Sequence, residues 1–233
     1  MDTLARADKP SIHPDIAEYL LQIVHDPAKF GVPELHFRFW NHGPQAAKGW
    51  YLSSFRTDPE RRAWYEEGWL CPDYDFEALE QLPEDSLGYA YRAHIRKNGL
   101  DHRLLLNYRL LQEHKELAGH IAGMPPEIKF ATIRGFQTHD ILHPLTGYDT
   151  SPLGEIALQA FNLAQMRLPY AAFWMSIVTT QMAFLSPQVI EVLMDAITRG
   201  WQHGRRARNL TYTRWEELFE RPIDALRNEH ALV

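Results

Sequence analysis

The chain has 233 residues, 45% of them hydrophobic, and a formal net charge of −6. That length suits one large domain or two small ones with ample apolar mass for a core, and the acidic balance, with a pI near 6.0, excludes an electrostatic footprint for nucleic acid. A single cysteine, Cys71, excludes an intrachain disulfide and fits a reducing compartment.

Residues 1–9 carry two acids and no apolar run, so they read as neither a secretory signal nor a mitochondrial presequence. The expectation is a cytoplasmic protein unless a presequence has been removed. Ser11 with Pro14 opens a predicted helix with an apolar stripe of Ile16, Leu20, Ile23 and Val24, ending near His25-Asp26-Pro27. Residues 31–75 look less regular, rich in Gly, Pro and aromatics, with one charged helical turn over 58–67. A helix through Tyr91 and Ile95 follows Leu82-Pro83-Glu84 and stops at Asn98-Gly99, and another is predicted over 101–120. Pro125-Pro126 starts the next, which runs through Ile133 and Phe136 into His139. Ser151 is the expected N-cap of a further helix, with Pro152 at its first position, continuing to about Arg167. Pro169 and Ser186-Pro187 punctuate two more, and a last helix carries Trp215, Leu218 and Leu226. Arg205, Arg206 and Arg208 suit a helix C-terminus, where the macrodipole favours cations. Strand-like alternation is nearly absent, so the expected fold is all-α, a single helical domain over 1–233.

Residues 168–190 contain no charged side chain, long enough to raise the question of a membrane span. Pro169, Ser186-Pro187 and the polar Ser176, Thr179, Thr180 and Gln181 favour instead a packed helix, an apolar cavity or a membrane-facing surface. Tyr170, Phe173, Trp174, Met175, Met182 and Phe184 would give such a cavity deformable walls; ordinary core packing reads equally well.

The chemistry concentrates in His139-Asp140-Ile141-Leu142-His143 and in Glu155. On a helix His139 and His143 stand one turn apart on one face, and Asp140 lies three residues before His143. Glu155 reaches the same place from the following helix, so two imidazoles and two carboxylates would converge on a divalent metal. In a chain with twelve histidines such a pair also arises by chance, and Glu155, in a first helical turn, could simply favour the helix dipole. Asp140 replaces the glutamate of the His-Glu-x-x-His proteases, and no Glu-x-x-His unit supports a di-iron bundle. The His139-Asp140 doublet resembles the HD-type metal phosphohydrolases, for which His114 or His120 and Asp195 would have to serve as further ligands. Arg134, five residues before His139, is either a partner for a substrate carboxylate or, more simply, a surface salt bridge.

His-Asp-x-x-His-x11-Glu, read through Leu145-Thr-Gly147 and Leu153-Gly-Glu155, resembles the signature of the coenzyme Q biosynthesis protein 4 family. Leu82-Pro83-Glu84, Gly88-x-x-Tyr91, Gly204-Arg205-Arg206-Ala207 and Trp215-Glu216 agree in order, so the resemblance spans about 75–230. With no presequence read at the start, it suggests a bacterial-type member. The resemblance implies His139, Asp140, His143 and Glu155 as metal ligands and catalytic centre, with zinc, iron(II) or manganese as the ion. It implies C1 decarboxylation of a polyprenylated 4-hydroxybenzoate, or a non-catalytic lipid-binding scaffold role, within ubiquinone biosynthesis. The implied partners are that lipid, other quinone-biosynthesis proteins and the inner face of the cell membrane, held peripherally; a homodimer is compatible with it. Pro144 departs from the pattern, and its missing donor predicts that the helix ends early or kinks at the ligands.

Overall fold

The computed structural model describes residues 11–100, 119 and 123–233, and the helix expected over 101–120, with His114 and His120, lies outside the described residues. Among the described residues the fold is all helical, the sole β feature being an isolated bridge between Ser86 and Pro222. The helices are α1 (Pro14–His25), α2 (Val32–His42), α3 (Gln45–Thr57), α4 (Pro59–Glu67), α5 (Leu87–Lys97), α6 (Pro126–Thr146), α7 (Pro152–Met166), α8 (Pro169–Leu185), α9 (Ile190–Arg206) and α10 (Ile223–Glu229). No described helix is long and apolar enough to cross a membrane.

Three boundaries differ from expectation for local reasons. His13 rather than Ser11 caps α1, its Nδ1 accepting from the Asp15 amide. The irregular-looking stretch 31–75 contains, besides the expected charged turn, which is α4, two further helices, α2 and α3. Pro33 and Pro59 start α2 and α4, where a missing N–H costs nothing, and the Asp58 carboxylate accepts from two α4 amides. The predicted last helix is broken into a 3-10 turn, Trp215–Leu218, and α10.

Helix α6 runs through the middle of the fold. Its first half, through Ile128 and Ala131, packs on Trp40, Phe55 and Trp64 of α2, α3 and α4. Its second half, through Ile141, Leu142 and Leu145, packs on Tyr91 and Ile95 of α5 and on Trp215 and Leu226. Being enclosed from both sides, it shows little amphipathic pattern. Pro144 does not end it: α6 continues to Thr146 and stops at Gly147, whose φ of 78° is the left-handed cap that glycine adopts freely. Arg227 of α10 donates to the Pro144 and Leu145 carbonyls, satisfying acceptors at the helix end.

Among the described residues, helices α7 and α9 make the most extensive helix pair, and small residues permit it. A Cβ on Gly200 would lie 2.0 Å from the Ala157 carbonyl oxygen, and one on Gly204 2.6 Å from that of Phe161. The family-like Gly88 is similarly tight, against Leu82 and Phe219, while Tyr91 stacks on Phe219 at 5.7 Å. We expect Gly200→Ala to destabilise the fold by about 1–3 kcal/mol, read as a lower urea midpoint, because the clash is with rigid backbone. Gly49→Ala, at an α3 position with open space, should be neutral or slightly stabilising.

Candidate metal centre

Residues of α6 and the first turn of α7 meet where the two helices face one another. His139 and His143, one turn apart, bring their rings to 5.1 Å in an edge-on arrangement. The Glu155 carboxylate lies between them, Oε2 at 3.4 Å from His139 Nε2 and Oε1 at 3.3 Å from His143 Nε2. Glu155 is free for this because Ser151 does the capping: its Oγ accepts from the Gly154 amide.

His143 is held from behind. Its Nδ1 lies 2.8 Å from the Tyr148 carbonyl oxygen, which can only accept, so Nδ1 carries the proton. In its neutral form the ring therefore points the Nε2 lone pair toward a carboxylate. That atom is buried and has no hydrogen bond, the Glu155 contact being off hydrogen-bonding geometry. Two lone-pair donors at this distance need a proton or a cation between them. The protonation tendencies agree: burial would lower the His143 pKa, but Glu155 and the Tyr148 carbonyl raise it overall. Burial likewise works against the Glu155 carboxylate, yet the two imidazoles hold its pKa down to about 2.

Three of the four predicted residues, His139, His143 and Glu155, place one ligand atom each within 4.8 Å of one another. Asp140 falls instead into a second, overlapping group with His143 and His94 of α5. Burial raises the Asp140 pKa against the lowering influence of His139 and His143. His94 stacks on His143 at 4.8 Å, and burial, then the neighbouring His143, pushes its pKa down to about 4. Thr150 donates to Asn98 Oδ1, which turns the Asn98 amide nitrogen toward His94 Nδ1 at 3.5 Å. The sequence reading missed His94. The signal available was its place three residues after Tyr91 and four before Asn98, on the buried face of α5.

The residues fit a divalent ion: imidazole nitrogen, carboxylate oxygen, a tautomer fixed by an outer hydrogen bond, and an orphaned buried Nε2. Asp195 is exposed on α9, outside both groups. Arg134 forms a buried, bidentate pair with Glu216 at 2.8 and 3.2 Å, side chains 2% and 6% exposed, rather than a surface bridge or a substrate clamp.

His139, Asp140 and Glu155 also line a cavity of about 270 Å³ between α6, α7, α8 and α2. Of the apolar residues expected in its walls, Tyr170 and Trp174 are there, with Phe136 and Met166 added from α6 and α7. Phe173 packs instead on α2 residues, Met175 and Met182 pack between α7 and α9, and Phe184 is 80% exposed. A 17-residue helix buries only part of its circumference here, so an uncharged run supplies core, cavity and surface together.

Residues 72–233 match the family model for the Coenzyme Q (ubiquinone) biosynthesis protein Coq4. The chain belongs to this family. It is 28% identical over 155 residues to the mitochondrial ubiquinone biosynthesis protein COQ4 homolog of Rattus norvegicus, covering 66% of this chain and 53% of the rat protein. It is 30% identical over 166 residues to the mitochondrial COQ4 of Eremothecium gossypii, covering 68% of this chain and 45% of that one. The match thus spans about half the length of these curated relatives. A crystal structure from Nostoc punctiforme, of a protein provisionally assigned to ubiquinone biosynthesis, superposes with a TM-score of 0.73 at 23% identity over 95% of this chain and 99% of the other. That likeness shows a shared fold over 95% of this chain, a share that includes N-terminal helices ahead of residue 72.

Proposed function

We propose that this Coq4-family protein removes the C1 carboxyl group of a polyprenylated 4-hydroxybenzoate-type intermediate of ubiquinone biosynthesis, coupling its loss to hydroxylation of the same carbon. The observation that carries the reading is the convergence of His139, His143 and Glu155 at the wall of an apolar cavity. His139, Asp140, His143 and Glu155 would hold the ion, with iron(II) favoured over zinc or manganese for this route. A bound divalent ion supplies Lewis acidity toward substrate oxygens and, if iron, redox capacity.

The chain's own groups set the geometry. The Tyr148 carbonyl keeps the His143 proton on Nδ1, so Nε2 stays a lone-pair donor. Phe136, Tyr170 and Trp174 form an apolar wall that excludes water and suits an aromatic ring. At about 270 Å³ the cavity is near the lower end of the ~300–1,000 Å³ typical of small-molecule sites, so it accommodates the ring and leaves a long prenyl tail to run outward.

The tail points to a membrane. Phe184 and Leu185 stand 80% and 72% exposed at the end of α8, and Leu21 is 70% exposed on α1, which α8 grips through the Gln181–Val24 hydrogen bond. We expect peripheral attachment at the inner face of the cell membrane, released by high salt or alkaline wash; a requirement for detergent would contradict it. Other quinone-biosynthesis proteins are the expected neighbours there.

The test is mass spectrometry of the product from a short-prenyl substrate, with and without labelled dioxygen. The oxidative route needs dioxygen and an added two-electron reductant, puts one labelled oxygen into a C1 hydroxyl, sends the other to water and releases the carboxyl as carbon dioxide. Simple decarboxylation proceeds anaerobically without a reductant and leaves hydrogen. Metal-loaded protein that converts no prenylated benzoate under either atmosphere, while its loss still stops quinone synthesis in cells, would instead make the protein a lipid-binding scaffold.

A further inference from the structure

The cavity carries polar groups that the metal centre does not use. His36 of α2 and Trp174 of α8 both line it. His36 is 1% exposed, and burial drives its pKa down to about 3, so the ring is neutral. Trp40, one turn further along α2, donates its indole N–H to His36 Nε2 at 3.2 Å. A nitrogen that accepts carries no proton, which places the proton of the neutral ring on Nδ1. That Nδ1 is buried without a hydrogen-bond partner, and so is the indole Nε1 of Trp174. Neither group can accept; both can only donate.

Buried donors are nearly always paired. These two, on residues that line one cavity, are covered by packed side chains that give them no acceptor, so a ligand oxygen reaching them with a small shift of the rings would supply the missing partner. Their positions are set by neighbouring rings. Tyr170 meets His36 edge-on at 5.6 Å and Phe136 edge-on at 6.0 Å, and Phe136 lies on α6 one turn before Asp140. Trp174 follows Tyr170 by one helical turn and so shares its face of α8. The same aromatic wall therefore links the donors to the metal-binding segment. His36 precedes the residues that match the family model, whereas Trp174 lies within them, so the N-terminal helices supply one of the two donors.

We propose that His36 Nδ1–H and Trp174 Nε1–H form a donor pair that receives an oxygen substituent of the ligand's aromatic ring. The inference rests on the reading of the cavity as the site of an oxygenated aromatic acid. A phenolic, methoxy or carbonyl oxygen offers two lone pairs, one for each donor. An ammonium or amide N–H would find no acceptor in the pair, so the pair selects oxygen over nitrogen or carbon at that position.

The full-length chain is titrated with 3-prenyl-4-methoxybenzoate and 3-prenyl-4-ethylbenzoate, which differ by an ether oxygen in place of a methylene. Wild-type protein should prefer the methoxy compound by on the order of tenfold. His36→Phe and Trp174→Phe should each erase most of that preference, read as the ratio of the two affinities, whatever the absolute affinity of the variant. In the wild-type protein, the Trp174 indole N–H resonance, assigned from its loss in Trp174→Phe, should move downfield with the methoxy compound only. That measurement decides the matter even if a His36 variant fails to fold. Equal affinities, binding of neither compound, or a preference unchanged in both variants overturns the pair. A methoxy preference in a protein that turns over no prenylated benzoate would overturn the decarboxylase and leave the donor pair supported.

Discussion

Replacing His143 with alanine is expected to lower turnover of a prenylated 4-hydroxybenzoate by on the order of a hundredfold or more, while lipid binding changes little. The side chain is fully buried, its Nδ1 is anchored to Tyr148, and its Nε2 is the unpartnered lone-pair nitrogen facing Glu155. His143→Gln, which fills much of the same space, separates loss of a ligand from loss of packing and should be nearly as inactive. Glu155→Ala should weaken metal binding with His143 intact. The double variant His143→Ala plus Glu155→Ala should lose less than the sum of the two, because both residues serve one ion. Metal content by mass spectrometry and affinity by competition with a chelator give this result without any turnover assay. Unchanged metal affinity in Glu155→Ala would reduce that carboxylate to a favourable charge at the start of α7.

The second large effect concerns stability. Arg134→Ala should cost about 3–5 kcal/mol in urea unfolding, since it strands the Glu216 carboxylate in the interior. Arg134 also donates to Gln137 and lies over the Trp69 ring at 4.7 Å, and Gln137 in turn bonds the backbone of Cys71 at both its amide and its carbonyl. The pair thus pins the C-terminal segment and residues 69–71 to the middle of α6. Replacing both members with apolar residues, Arg134→Met with Glu216→Leu, should recover most of the loss, because no buried charge then remains. A small loss in Arg134→Ala would mean that water reaches Glu216 in the variant. The same measurement bears on function: a residue committed to Glu216 on this scale is not available to hold a substrate carboxylate.

Much of this protein was legible in the sequence, because the signals concerned are local. Helix starts at Pro14, Pro126, Pro152 and Pro169 follow from the fixed φ and missing N–H of proline, and the Ser151 cap from its side-chain oxygen. The spacing of His139 and His143 placed them on one face, and the motif with Glu155 carried the family resemblance that residues 72–233 bear out. Within residues 31–75 the charged turn over 58–67 is α4, whereas α2 and α3 went unread because Gly31, Pro33, Gly43 and Pro44 look like breakers until their places at helix starts and ends are known.

What only the tertiary structure decided depends on contacts between segments far apart in the chain. Nothing near His94 in sequence announces that it stacks on His143, or that it shares a ligand group with Asp140. Arg134 looked like a surface cation, yet its charge is buried because Glu216, eighty-two residues on, arrives with it. Phe173 and Tyr170 are equally aromatic and lie on one helix, but only Tyr170 lines the cavity, since which side faces open space depends on where α2 and α6 pack. Composition and spacing determine which residues can make helices and bind ions; the packing of those helices determines which side chains are left without a partner, and those are the ones that await a ligand.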